Sequence, residues 1–149
     1  MEAVRLGTDE QATISLTVPA KAEYVIVCRL ALDGLADTAT FPPEVLSDLK
    51  LAVTEACANS IAHAYPGEAG LIRVDVSREP ERVLVEIADD GVGIGEHEIG
   101  SFEQEPEIGE GLHEGGMGLA LISALVDELQ VGTRPGGRGT RVAFSKSLA

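Results

Sequence analysis

The stretch LIRVDVSREPERVLVEIADD, residues 71–90, sets the fold because it reads as two strands and the turn between them. Leu71 to Ser77 and Arg82 to Ala88 carry apolar residues at the two-residue period of a strand, and Glu79-Pro80-Glu81 supplies the hairpin connection. In the second strand Val83, Val85 and Ile87 point one way, and Asp89 continues that parity by one more residue. The expectation is an inward carboxylate at Asp89 and an outward one at Asp90. An inward carboxylate is costly unless hydrogen-bonded, and an adenine 6-amino group is a fitting donor for it.

Working outward from this hairpin, Ala12 to Val18 alternates Thr13, Ser15 and Thr17 with Ile14, Leu16 and Val18, a half-buried strand closed by Pro19. Lys21 to Leu35 reads as an amphipathic helix with Val27, Leu30, Ala31 and Leu35 as its apolar positions. Pro42 and Pro43 open a second helix, because proline lacks only an N–H that the first turn would leave unpaired. Leu46, Leu49, Val53, Ala56, Ser60 and Ile61 give this helix its inward stripe, and Tyr65-Pro66-Gly67 ends it.

Gly91 to Gly115 is a long run of Gly and Glu with little periodicity, the pattern of a lid spanning about 94–115. Leu119 to Leu129 reads as a third helix, and Gln130 to Arg134 with Thr140 to Ser145 as a closing hairpin. Strands grouped in hairpins make the expected class α+β: a two-layer sandwich with a mixed, mostly antiparallel sheet and helices on one face. With 149 residues and no internal repeat or linker, one domain over 1–149 is expected.

The formal net charge of -14 opposes binding to a phosphate backbone, so direct nucleic-acid binding is not expected. The imbalance is local. No Lys or Arg occurs from Val83 to Thr133, whereas Glu96, Glu98, Glu103, Glu105, Glu107, Glu110 and Glu114 all fall there. Such a segment is a solvated acidic loop or a surface for a basic protein partner. Cys28 and Cys57 sit among apolar neighbours and read as buried thiols. No stretch approaches the ~20 apolar residues of a membrane span, and a cytoplasmic location without membrane attachment is expected.

Three short segments carry candidate chemistry. On the second helix Glu55, Asn59 and His63 stand four residues apart and share a face. Asn59 offers a neutral oxygen suited to magnesium, which completes its octahedron with phosphate and water oxygens, and Glu55 is placed to accept a proton from an attacking hydroxyl. At the strand end, Gly91 and Gly93 let the backbone approach a flat base beside Asp89. Gly115, Gly116, Met117 and Gly118 precede the third helix, where free N–H groups bind phosphates without the lysine of a P-loop.

Glu55 to Tyr65 (EACANSIAHAY), Asp89 to Ile94 (DDGVGI), Gly116 to Ile122 (GMGLALI) and Gly139-Thr140 resemble the boxes of the GHKL (histidine kinase-like) ATPases. Within that superfamily the chain resembles the anti-sigma factor serine kinases over essentially its whole length. The resemblance implies a Bergerat-type ATP fold with ATP and Mg2+ as cofactors. It makes Glu55 the general base, Asn59 the magnesium ligand, Asp89 the adenine reader and Gly91 and Gly93 the base-pocket glycines. Gly115, Gly116, Met117, Gly118 and Leu119 would cradle the phosphates, and Thr140 would make a secondary adenine contact.

The family holds a sigma factor inactive, phosphorylates a serine on an anti-anti-sigma protein of the STAS type, and commonly works as a homodimer. The chain departs from the family in having no basic residue beside the lid, leaving magnesium, backbone N–H groups or a partner's arginine to neutralise the triphosphate. Two other functions remain open at this stage. One is a nucleotide-dependent protein-binding switch with little transfer; the other is a detached histidine-kinase-type ATP domain acting on another protein's histidine.

Overall fold

A computed structural model describes residues 12–39, 41–64, 70–91, 114–133 and 139–148. The elements run β1 (Ala12–Pro19), α1 (Ala22–Ala39), α2 (Pro43–Asn59), a π turn (Ser60–Ala64), β2 (Leu71–Arg78), β3 (Arg82–Asp89), α3 (Glu114–Leu125), β4 (Glu128–Thr133) and β5 (Thr140–Ser147). The strands form one five-stranded sheet in the order β1-β2-β3-β5-β4. Every described pairing is antiparallel, so the sheet lacks the parallel component that a mixed sheet would have. Gly93, the loop tip 134–138 and most of the expected lid lie outside the described residues, as do the side chains of His63 and of residues 114–117.

The period-two pattern builds the two faces directly. Val74 pairs with Ile87 and Val76 with Val85, while Val85 also faces Phe144 and Ile87 faces Val142, so one face of the sheet is continuously apolar. The three helices cover that face, burying Leu32, Leu49, Val53, Leu119 and Ile122 against it. The opposite face is polar. It carries the Arg141–Glu86 pair at 3.0 Å and the Arg73–Asp75 pair at 3.1 Å, with a shallow cavity of about 320 Å³ lined in part by Asp75, Glu86, Gln130 and Arg141.

Several element boundaries and one helix face differ from the sequence expectation. Helix α1 continues through Gly34 to Ala39, so this glycine does not end it. Its inward residues are Cys28, Leu32 and Leu35, whereas Val27 and Leu30 are exposed. Burial of Cys28, Leu32 and Leu35 defines the inward face, and the Lys50–Asp33 pair at 2.9 Å links α1 to α2 beside it.

Helix α3 spans Glu114–Leu125 rather than Leu119 to Leu129. Packing of its glycine-rich first turn against α2 overrides the poor helix propensity of Gly115, Gly116 and Gly118. At its other end the Lys146 ammonium donates to the Leu125 carbonyl at 2.6 Å, a cation on the negative end of the helix dipole. The Asp127 N–H donates to the Ser145 carbonyl at 2.9 Å, which starts the β4 ladder at Glu128, two residues earlier than the sequence suggests.

Helix α2 begins as expected, with Pro43 in the first turn and the Leu46 N–H donating to the Pro42 carbonyl at 3.1 Å. Its buried residues are Val45, Leu49, Ala52, Val53, Ala56, Cys57 and Asn59. The Cys28 and Cys57 thiols are both buried where α1 meets α2. A hydrogen bond to Cys28 and burial together push the Cys57 thiol well above its ordinary value, which keeps it protonated and inert.

Leu49 has no exposed surface and sits at the centre of the helix–sheet contact. Leu49→Ala is expected to destabilise the fold by about 2–5 kcal/mol, read from urea or thermal unfolding, with no separate effect on chemistry at temperatures where the variant stays folded.

Candidate functional site

Asp89 ends β3 on the apolar face, opposite Ile72, with only 2% of its surface exposed. A buried carboxylate needs donors, and it has them from three elements. Its Oδ1 accepts from the Gly91 N–H at 3.0 Å and from the Thr140 N–H at 3.1 Å. Its Oδ2 accepts from the Ser60 hydroxyl at 2.9 Å. The inward parity expected of Asp89 holds, and Asp90 is exposed.

The Thr140 bond depends on how closely β5 enters the sheet. Gly139, just before it, has φ +84°, and a Cβ there would stand 2.1 Å from the Asp89 carbonyl oxygen. Only glycine allows this backbone to pass so near Asp89. Thr140 therefore touches the site through its backbone, holding the carboxylate, and its side chain is buried.

Asn59, the last residue of α2, is buried beside this strand end, and its Nδ2 has no hydrogen-bond partner among the described residues. An unpartnered buried amide nitrogen costs about 1–3 kcal/mol, a cost that a ligand oxygen relieves. Across from it, a Cβ on Gly118 would lie 3.2 Å from Asn59 Oδ1. The start of α3 thus closes on the amide as tightly as a glycine permits. The donor set suits a magnesium–phosphate group: the amide oxygen for the cation, the amide nitrogen for a phosphate oxygen, and the first-turn N–H groups of α3 for the rest.

Glu55 is half-buried one turn before Asn59 on the same helix face. Gly91 is buried beside Asp89, and Leu119 belongs to the core beneath α3 rather than to an open cradle. Gly115, Gly116 and Met117 fall in the first turn of α3, inside the helix rather than ahead of it, where N–H groups are left for a ligand, whereas Gly118 is the fifth helical residue and its N–H belongs to the intrahelical ladder. Gly93 lies outside the described residues.

In the sequence Ser60 reads only as part of the core stripe of α2, and Gly139 only as a glycine beside Thr140. The signal for Ser60 was present in the demand of an inward Asp89 for a donor. The signal for Gly139 was a glycine immediately before a strand that borders that carboxylate.

With these groups in place, comparison with known proteins decides the family. Residues 18–146 match the histidine kinase-like ATPase domain model. The chain belongs to the histidine kinase-like ATPases. Among them it is 34% identical over 122 residues to the serine-protein kinase RsbW of Bacillus mycoides (strain KBAB4), an alignment covering 79% of this chain and 76% of that one. The RsbW of Bacillus cereus (strain AH187) matches at the same identity and coverage.

Two solved structures share the fold of this family member. The crystal structure of the RsbU and RsbW domains of Rv1364c from Mycobacterium tuberculosis matches with TM-score 0.65 at 18% identity, over 91% of this chain and 32% of that longer one. The histidine kinase domain of the Erythrobacter litoralis EL346 blue-light activated histidine kinase matches with TM-score 0.57 at 22% identity, over 99% and 65% of the two chains.

Because Gly139 adopts a left-handed backbone against Asp89, Gly139→Ala is expected to lower Tm by roughly 5–10 °C and to abolish adenine-nucleotide binding. Gly132→Ala, where no atom lies within 4 Å of the new methyl, is the control and is expected to leave both unchanged. Differential scanning fluorimetry with and without nucleotide reads both outcomes.

Proposed function

We propose that this chain is an ATP- and magnesium-dependent protein-serine kinase that holds a sigma factor inactive and phosphorylates one serine of a STAS-type anti-anti-sigma protein. The observation that carries the reading is the meeting of Asp89, Asn59 and the start of α3 at one end of the sheet, each with a chemically distinct donor or acceptor set. Kinship with serine-protein kinases named RsbW supports the choice of serine as acceptor.

In this reading Asp89 recognises the purine 6-amino group, and Gly91 lets the base lie close to the backbone. Asn59 holds the cation, the first-turn α3 amides at Gly115, Gly116 and Met117 receive the phosphates, and Gly118 lets the helix approach Asn59 closely. Magnesium, when bound, offsets the triphosphate charge and aligns its oxygens. Glu55 accepts the proton of the incoming serine hydroxyl as its oxygen bonds to the γ-phosphorus and the bond to the β-phosphate oxygen breaks, releasing ADP. No helix among the described residues is long and apolar enough to cross a membrane, and we place the protein in the cytoplasm as a homodimer, following the family pattern.

Incubation with magnesium ATP and a cognate STAS protein is expected to give one acid-stable phosphoserine, identified by mass spectrometry. An acid-labile product would instead identify a histidine acceptor. No label at all, with stoichiometric nucleotide bound, would identify a binding switch. Glu55→Gln is expected to slow transfer by about 10²- to 10⁴-fold while nucleotide affinity stays within about twofold.

Asn59→Ala is expected to reduce the gain in nucleotide affinity that magnesium confers, measured by calorimetry with and without the metal. An undiminished magnesium effect would remove Asn59 from the cation.

A further inference from the structure

Two layers meet at Asp89, and the described contacts divide between them unevenly. The bonds to Oδ1 come from the sheet side, through the Gly91 and Thr140 N–H groups. The bond to Oδ2 comes from the helix side, through Ser60, which is 6% exposed and directly follows Asn59. Ser60 is also where the helix changes from α to π winding, its N–H bonded to the Ala56 and Cys57 carbonyls. The wider turn follows a stretch in which Ala56, Cys57, Asn59 and Ser60 are all buried, so two consecutive polar side chains enter the interior at its start. Short π segments recur at functional sites because they re-aim a side chain at little cost.

We propose that Ser60 is a positioning residue for purine selection: its hydroxyl fixes Asp89 Oδ2 relative to the helix that carries Asn59, and so sets the distance between the group reading the base and the group holding the phosphates. This inference rests on the nucleotide reading of the site and goes beyond it in naming the residue that joins its two ends. The reasoning is geometric. Asp89 without Ser60 keeps two backbone donors on Oδ1, so it stays inward, but Oδ2 loses the hydroxyl bond that ties it to the helix carrying Asn59. A 6-amino group accepted by a fixed carboxylate oxygen gains a charge-assisted hydrogen bond, whereas a purine lacking that group gains nothing from the same oxygen. Ser60 therefore acts on discrimination between bases more than on binding as a whole.

The test compares ATP with purine riboside triphosphate, which lacks the 6-amino group, by equilibrium titration in the presence of magnesium. Wild-type protein is expected to prefer ATP strongly. Ser60→Ala is expected to weaken ATP about tenfold while affinity for the analogue changes less than twofold, with kcat for serine phosphorylation at saturating ATP retained within about threefold. Ser60→Thr, which keeps the hydroxyl, is expected to restore the ATP preference at least in part.

Equal weakening of both nucleotides in Ser60→Ala would show a general structural role and overturn the proposal, as would unchanged affinity for both. Asp89→Asn is run in parallel. If it abolishes the ATP preference while Ser60→Ala does not, the Ser60 role alone is wrong. If wild-type protein binds neither nucleotide, or Asp89→Asn leaves the preference intact, the nucleotide reading fails and the Ser60 role with it. Thermal melts of each variant establish that the fold is retained.

Discussion

A carboxylate buried at the end of a central strand constrains the chain around it. Asp89 can remain there only while donors surround it, and those donors come from three separate places: the turn after β3, the first residue of β5 and the π turn after α2. Each donor fixes an element. Thr140 brings β5 alongside β3 at the point where Gly139 must take a positive φ, and Ser60 pins the end of α2 over the sheet. The same arrangement leaves Asn59 buried one residue away, with α3 closing on it through Gly118. Fold and candidate site are thus specified together by one polar contact in an otherwise apolar layer.

The two-layer architecture was legible because strand periodicity is local. Alternation in residues 71–90 set both faces of the central hairpin and carried Asp89 inward, and the same alternation placed Thr13, Ser15 and Thr17 outward in β1. What was not legible depended on contacts between distant segments. The rotation of α1 follows from burial of Cys28, Leu32 and Leu35 against the rest of the core, and the sequence of α1 alone offers a second apolar stripe through Val27 and Leu30. The start of α3 accompanies the close approach of Gly118 to Asn59 and includes three glycines of low helix propensity. Ser60 was visible as an inward residue, but its partner lies 29 positions away and its aim depends on a π turn that no local pattern marks.

Electrostatics set the chemistry apart from that of P-loop enzymes. No Lys or Arg occurs from Val83 to Thr133, so neither the end of β3 nor the start of α3 carries a neighbouring cationic side chain in sequence. Under the proposed function, charge compensation would fall to a cation held at Asn59 and to the backbone N–H groups of the first turn of α3, whose dipole favours anions. Such a site depends on magnesium more heavily than one with a lysine, and it leaves an opening for an arginine supplied by the protein substrate at the moment of transfer. The acidic character of the same sequence region also suits a basic partner surface.

The most direct measurement is a crystal structure of the protein with magnesium and a non-hydrolysable ATP analogue. The account predicts the adenine 6-amino nitrogen within about 3 Å of an Asp89 carboxylate oxygen, Asn59 Oδ1 bound to the cation, and phosphate oxygens on the N–H groups that begin α3. An analogue bound elsewhere, or bound with Asp89 facing the ribose or phosphates and Asn59 turned away from the metal, would contradict it.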